Sequence, residues 1–199
     1  SVNNSSYMGL EKYFQLEGLA YRIVPVVSTG PNRGGIVGNV NPDIMYDNLM
    51  NKFKFGNLNS TQAHTDSDYR RMIYNFRGNF ARLADELTKR GDTERALAIL
   101  DQAEKMMPDH CAPHNIYSYT MIDAYYKAGA YDKGNKIIDI VANRANQDLR
   151  YIKSLNPNQR SAFDDDENMD GYFIESFVQK CRQAGQEDMA KKLEAMLPK

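Results

Sequence analysis

Only two cysteines occur in 199 residues. A disulfide-stapled small framework is therefore excluded, and Cys111 and Cys181 are either free or paired. No stretch reaches the roughly 18 apolar residues that a membrane-spanning helix needs. The charges nearly cancel, 25 basic against 26 acidic, so the basic excess of a typical nucleic-acid binder is missing. The first residue is Ser1, and no charged segment followed by an apolar one comes after it, so no signal peptide is read. Gly-x-Ser-x-Gly elbows, phosphate loops and dinucleotide fingerprints are also missing. The pair Gly30 and Gly35 has phosphate-loop spacing, but Ile36-Val37 follows where Lys-Ser/Thr is needed.

What remains is rich in large apolar groups. With 13 Tyr, 8 Phe and 42% hydrophobic residues, the chain is not a disordered one. At roughly 150 residues per domain, its length suits one domain or one and a half. Residues 1–41 read differently from the rest. Leu19–Val27 is β-branched and aromatic and predicts a strand, with Pro25 placing it at an edge or ending it. Residues 28–41 hold Gly30, Pro31, Gly34, Gly35 and Gly38 and predict a flexible loop.

From residue 42 to residue 199 the pattern is helical. Asn41 suits a cap and Pro42 a first helical position, with Met45, Leu49 and Phe53 on one face up to Gly56. A polar linker covers 57–67. Ile73, Phe76, Phe80, Leu83, Ala84 and Leu87 then step by three or four residues, as do Ala96, Leu97, Leu100 and Ala103 before Pro108. A second helix pair places Tyr117, Met121, Ile122 and Tyr125 before Gly129, and Ile137, Ile138 and Val141 after it. A third places Phe173, Phe177, Val178 and Cys181 before Gly185, and Met189, Ala190, Leu193 and Leu197 after it. Each glycine suits the left-handed closure of an antiparallel helical hairpin. The first spacing, Gly91 to Gly129, is 38 residues; the second, to Gly185, is 56. The excess predicts an insertion near 146–166.

The run Phe80-x2-Leu83-Ala84-x2-Leu87, Gly91, Ala96-x3-Leu100, Ala103 and Pro108 resembles a tetratricopeptide repeat. Small Ala84 and Ala96 let two helices approach while the large residues fill between them. The second repeat is weaker, with Gly134 where Ala is usual and Asn146 where Pro is usual; the third keeps Phe177 and Ala190. A wider resemblance rests on Tyr13–Pro25, Asp43–Phe53 and Asn75–Ala84. These segments are similar to a bacterial family of multi-pass membrane proteins that looks like the protein O-mannosyltransferases. The resemblance implies a mainly α fold of tetratricopeptide-like hairpins, an α-α superhelix, behind a small strand-and-loop segment. It also implies the soluble C-terminal end of a longer membrane protein, at the periplasmic face of the inner membrane. Such a family keeps its catalytic acid in the membrane module, so no catalytic residue carries over, and no cofactor is expected. Residues 1–41 would be the end of an upstream α/β part, with the strand's partner lying before Ser1.

Two clusters suggest chemistry. Asp166, Asn168 and Asp170, followed by Gly171, have the oxygen spacing of a calcium loop. Its twelfth position, where a bidentate Glu belongs, is Phe177. The alternative is an acidic loop whose Asp170 caps the next helix. His110, Cys111 and His114 cluster after Pro108, but a zinc site needs about four ligands and no second cluster supplies them. Tyr119, Asp123 and Tyr126 share a helix face at spacings of four and three residues. By analogy with tetratricopeptide grooves they form the candidate surface for a protein or peptide partner, the alternative being packing between repeats. The expected function is a non-catalytic accessory domain. The alternatives are a free-standing adaptor of the same repeat class and, lacking any convergent titratable constellation, an autonomous hydrolase.

Overall fold

The computed structural model describes residues 7–28 and 37–197. These are mainly helical, with a small three-stranded sheet near the start. The chain forms two compact units, Ser1–Pro113 and His114–Lys199.

In the first unit, β1 (Phe14–Leu16) is the middle strand between β2 (Tyr21–Ile23) and β3 (Asn39–Val40). It pairs antiparallel with β2, Phe14 opposite Ile23, and parallel with β3, Gln15 opposite Asn39. The expected strand over 19–27 is thus only three residues long, and it pairs with β1 as an edge strand. Phe14 and Leu16 alternate inward and are buried, whereas β2 is exposed throughout and Val26 and Val27 beyond it are exposed too. The ladder stops at the Val24 N–H, which donates to the Tyr13 carbonyl at 2.9 Å, just before Pro25. The loop expected over 28–41 contributes β3; Gly30, Pro31, Gly34 and Gly35 lie outside the described residues.

Asn41 caps α1 (Pro42–Asp47), its side chain accepting the Ile44 N–H at 3.2 Å with Pro42 in the first turn. A π turn, Asn48–Lys52, continues it. Met45 and Leu49 are buried as expected, but Phe53 is 42% exposed. It follows the π turn as its C-cap in extended backbone, φ -71° and ψ 138°, so it has left the helix face that Met45 and Leu49 share. Asp66 and Asp92 cap α2 (Ser67–Lys89) and α3 (Thr93–Met106), accepting from Tyr69 N–H at 2.9 Å and Arg95 N–H at 3.1 Å. Phe80, Leu83, Ala84 and Leu87 of α2 and Ala96, Leu100 and Ala103 of α3 are buried. Ile99, not the expected Leu97, completes the core on α3, and Phe76 is half-buried.

The second unit holds α4 (Tyr119–Lys127), α5 (Tyr131–Ser154), α6 (Pro157–Arg160), α7 (Asp164–Gln183) and α8 (Glu187–Glu194). Helix α5 packs on α4 and α7, and α7 on α8. The extra residues near 146–166 lengthen α5, whose Ala145, Leu149 and Ile152 stay buried, and then form α6. Tyr117, expected in the core, lies in a 3-10 turn before α4 and is exposed.

The three hairpin turns close by the same pair of bonds. Gly91 N–H donates to Thr88 and Asp92 N–H to Leu87; Gly129 donates to Tyr126 and Ala130 to Tyr125; Gly185 donates to Arg182 and Gln186 to Cys181, all at 2.8–3.0 Å. The glycines have φ of +79°, +76° and +70°, which an L side chain adopts at a cost of about 1 kcal/mol or more. Gly134 serves packing instead. A Cβ there would stand 2.5 Å from Cε1 of Tyr126, whose buried ring is tethered through its hydroxyl to Asn135. Gly134→Ala gains about 1 kcal/mol of helix propensity and loses ~1–3 kcal/mol to overpacking. The expected net result is a lower chemical-denaturation midpoint; a raised midpoint would refute the close contact.

Candidate functional site

Tyr119, Asp123 and Tyr126 do share one face of α4, but α7 covers part of it. Tyr126 is 7% exposed and Tyr119 40%. The Tyr119 ring stacks on Phe177 at 6.3 Å and 16°. Lys180 of α7 reaches Asp123 at 2.6 Å and stands 4.7 Å from the Tyr119 ring centre and 5.8 Å from that of Tyr126. Lys127, one turn on, holds the second Asp123 oxygen at 2.9 Å. Burial would raise the Asp123 carboxyl, but the bonds from Lys180 and Lys127 outweigh it and hold the group below its ordinary value. The arrangement therefore binds a cation between two rings and an acid, and the cation is the chain's own. Lys180 is the member of this cluster that sequence reading missed. Its signal, one position before the buried Cys181 on the third hairpin, becomes meaningful only once α7 is seen to lie on α4.

Beside it, the Tyr126 hydroxyl donates to Asn135 and meets the Cys181 sulfur at 3.4 Å. Burial, reinforced by Cys181, raises the phenol well above its ordinary range. Both cysteines are free and buried. Burial raises each thiol, against the pull of Arg77 on Cys111 and the Tyr126 bond on Cys181, so neither is an activated nucleophile. His110 is exposed, while the buried His114 shares a 2.8 Å bond with Ser118. This histidine ties the turn that leads into α4.

The calcium reading is overturned. Asp166, Asn168 and Asp170 lie inside α7, so no ligand loop forms and Asp170 is not a cap. Two residues along a helix turn through about 200°, which points Asn168 away from the two aspartates. Among the described residues no group of three or more His, Cys, Asp or Glu could hold a metal ion. Four successive acids, Asp164–Glu167, begin α7 where the helix dipole favours them.

Asp166 and Asp170 instead turn with Asp148 toward one cavity, which Tyr151, Ile152 and Phe163 complete. Burial, then repulsion from Asp148 and Asp166, pushes the Asp170 carboxyl from 3.8 up to about 6. The folded state thus holds this proton more tightly than the unfolded one. The contribution to stability is complete below pH 3.8 and is lost as pH rises through 6. Asp170→Asn should remove that dependence and add about 1 kcal/mol at pH 7, after allowance for solvent screening. Denaturation at pH 4 and pH 7 checks it: the gain must be larger at pH 7.

No protein-family model, curated protein or solved structure matches this chain.

Proposed function

We propose that this chain is a non-catalytic interaction module of tetratricopeptide-like hairpins. In this reading it is the periplasmic accessory region of a membrane-bound glycosyltransferase of the O-mannosyltransferase kind, and it engages acceptor or partner proteins. The observation that carries the reading is the recurrence of one hairpin, with the same turn bonds and glycine conformation at Gly91, Gly129 and Gly185. Helical hairpins repeated along a chain present extended surfaces suited to protein partners. The resemblance over Tyr13–Pro25, Asp43–Phe53 and Asn75–Ala84 supplies the link to the transferase. No described helix is long and apolar enough to cross a membrane, so the membrane module would be a separate part of the protein.

One observation favours a second reading, a free-standing adaptor of the same class. Strand β2 pairs with β1, so the sheet forms within this chain. The gene separates the two: several hydrophobic spans encoded in frame before Ser1 are expected, and a start codon directly before it would select the adaptor. The isolated 199-residue chain is expected to transfer no mannose from a polyprenyl-phosphate donor to an acceptor peptide. Radiolabel incorporation by the chain alone would overturn the non-catalytic reading.

A further inference from the structure

Among the described residues β2 is an outer strand of its sheet, with β1 beside it. Two bonds flank the ladder between them. Glu17 N–H donates to the Ala20 carbonyl at 3.4 Å, and Val24 N–H to the Tyr13 carbonyl at 2.9 Å. Antiparallel bonding alternates, so the pair bonded between these two is Gln15 with Arg22. The N–H and carbonyl groups of Tyr21 and Ile23 therefore point away from β1. Among the described residues no turn, loop or cap bond uses them.

The side chains at this edge are as open as its main chain. Tyr21 and Ile23 stand opposite Leu16 and Phe14, so they share the face that those two buried residues turn inward. Yet Tyr21 is 38% exposed and Ile23 60%. The Tyr21 ring is held in place. It stacks on Phe14 at 5.5 Å and 28°, and its hydroxyl accepts from Arg82 of α2 at 2.6 Å. Past the end of the strand, Tyr13, Ile23, Val24 and Pro25 line a cavity of about 530 Å³. Arg22 projects from the opposite face, its side chain 67% exposed. Its Nη1 meets Glu17 at 3.3 Å, and a guanidinium's five donors leave room for a second acid. The Lys12 ammonium, 5.2 Å from the Tyr13 ring centre, adds positive charge beside the cavity.

We propose that β2 accepts an added strand from a partner protein, an extended apolar-acidic-apolar segment running antiparallel to Tyr21–Ile23. Its two apolar residues exchange main-chain bonds with Ile23 and Tyr21 and continue the apolar face begun by Phe14 and Leu16. Its acidic residue stands opposite Arg22 as a cross-strand ion pair. An apolar residue just before these three stands opposite Val24 and fills the cavity. Pro25 lacks an N–H and limits the added strand to this length. Main-chain pairing supplies affinity, and the alternating side chains supply selectivity. A second copy of this chain is the poorer occupant. The self-paired register that uses all four edge groups sets Arg22 against Arg22, and like charges directly opposite are unfavourable. The proposal deepens the reading of the chain as a protein-binding module and rests on it.

The test is an amide-resonance titration of the full 199-residue chain with the capped peptide Ser-Leu-Val-Glu-Val-Ser. In the free chain the Tyr21 and Ile23 amides should exchange with solvent roughly tenfold faster than that of Arg22. The peptide is expected to shift all three resonances saturably, with a dissociation constant on the order of 1 mM, and to slow exchange at Tyr21 and Ile23. The same peptide N-methylated at both valines should bind roughly fivefold more weakly or worse, and so should the version with lysine for glutamate. Arg22→Glu should reverse the charge preference, and circular dichroism verifies that this exposed substitution folds. Three results would each overturn the proposal: Tyr21 and Ile23 amides as protected as Arg22 in the free chain, equal binding of the N-methylated peptide, or an unchanged charge preference in Arg22→Glu. Protection that rises with chain concentration, with a dimer in sedimentation, would give the edge to a second copy and overturn it too. Those outcomes leave the gene and transfer experiments untouched, so failure of this site and failure of the module reading are told apart.

Discussion

Replacing Phe177 with glutamate should unfold the second unit without creating a calcium site. On paper the change completes a calcium loop, since it supplies the carboxylate at the twelfth position after Asp166. In the fold, Phe177 is 2% exposed and its ring stacks on Tyr119. Losing a buried phenylalanine costs ~3–5 kcal/mol, and burying an unpaired carboxylate adds further cost. Lys180, three residues on, is already committed to Asp123. The expected loss, about 5 kcal/mol, approaches the whole stability of a small domain. Circular dichroism should show partial loss of helix at 25 °C, and calorimetry no calcium heat. A folded variant that binds calcium would restore the loop reading and refute the helix at 164–183.

Arg77→Ala should be nearly as damaging in the first unit. Arg77 is 1% exposed on α2, and its Nε and Nη2 donate to the Met107 carbonyl at 3.2 and 2.5 Å. This carbonyl lies just past the end of α3, in a chain turning toward Cys111. The Cys111 carbonyl in turn accepts from the buried Thr65 hydroxyl. Burial depresses the guanidinium, with Glu104 the largest opposing influence, and its Nη1 has no hydrogen-bond partner. Truncation leaves both a cavity and an unmet carbonyl, together about 3–5 kcal/mol. Arg77→Met fills most of the space and removes the cost of burying a charge, so it should lose only about 1–2 kcal/mol. Urea denaturation of the two variants distinguishes the roles. Equal losses would mean that the hydrogen bonds, not the volume, carry the effect.

Hairpins and caps were legible because they depend on neighbours in sequence. A glycine after a periodic apolar run, or an asparagine three residues before a helical N–H, acts over a single turn, and the expectations at Asn41, Gly91, Gly129 and Gly185 held, whereas the cap read at Asp170 did not. The strand reading failed at Val26 and Val27 because β propensity reports side-chain shape, whereas burial depends on what lies opposite. The calcium spacing failed because Asp-x-Asn-x-Asp is as compatible with an acidic first turn of a helix as with a loop. The Tyr119 cluster was half legible. Its helix face followed from periodicity, but Lys180, 57 residues from Asp123, is placed there only by tertiary packing. Asp148 and Asp170 likewise come together only because α5 runs on to Ser154 before the chain reverses.

The two thiols carry one more consequence. Cys111 lies in the first compact unit and Cys181 in the second, and both are wholly buried. Each unit therefore contains a single internal reporter of its own opening. An alkylating reagent added to the native chain can modify Cys111 only when the first unit opens, and Cys181 only when the second does. Mass spectrometry of the two cysteine peptides over time then measures two opening rates in one sample. A ligand seated on the second unit should slow modification of Cys181 and leave that of Cys111 unchanged.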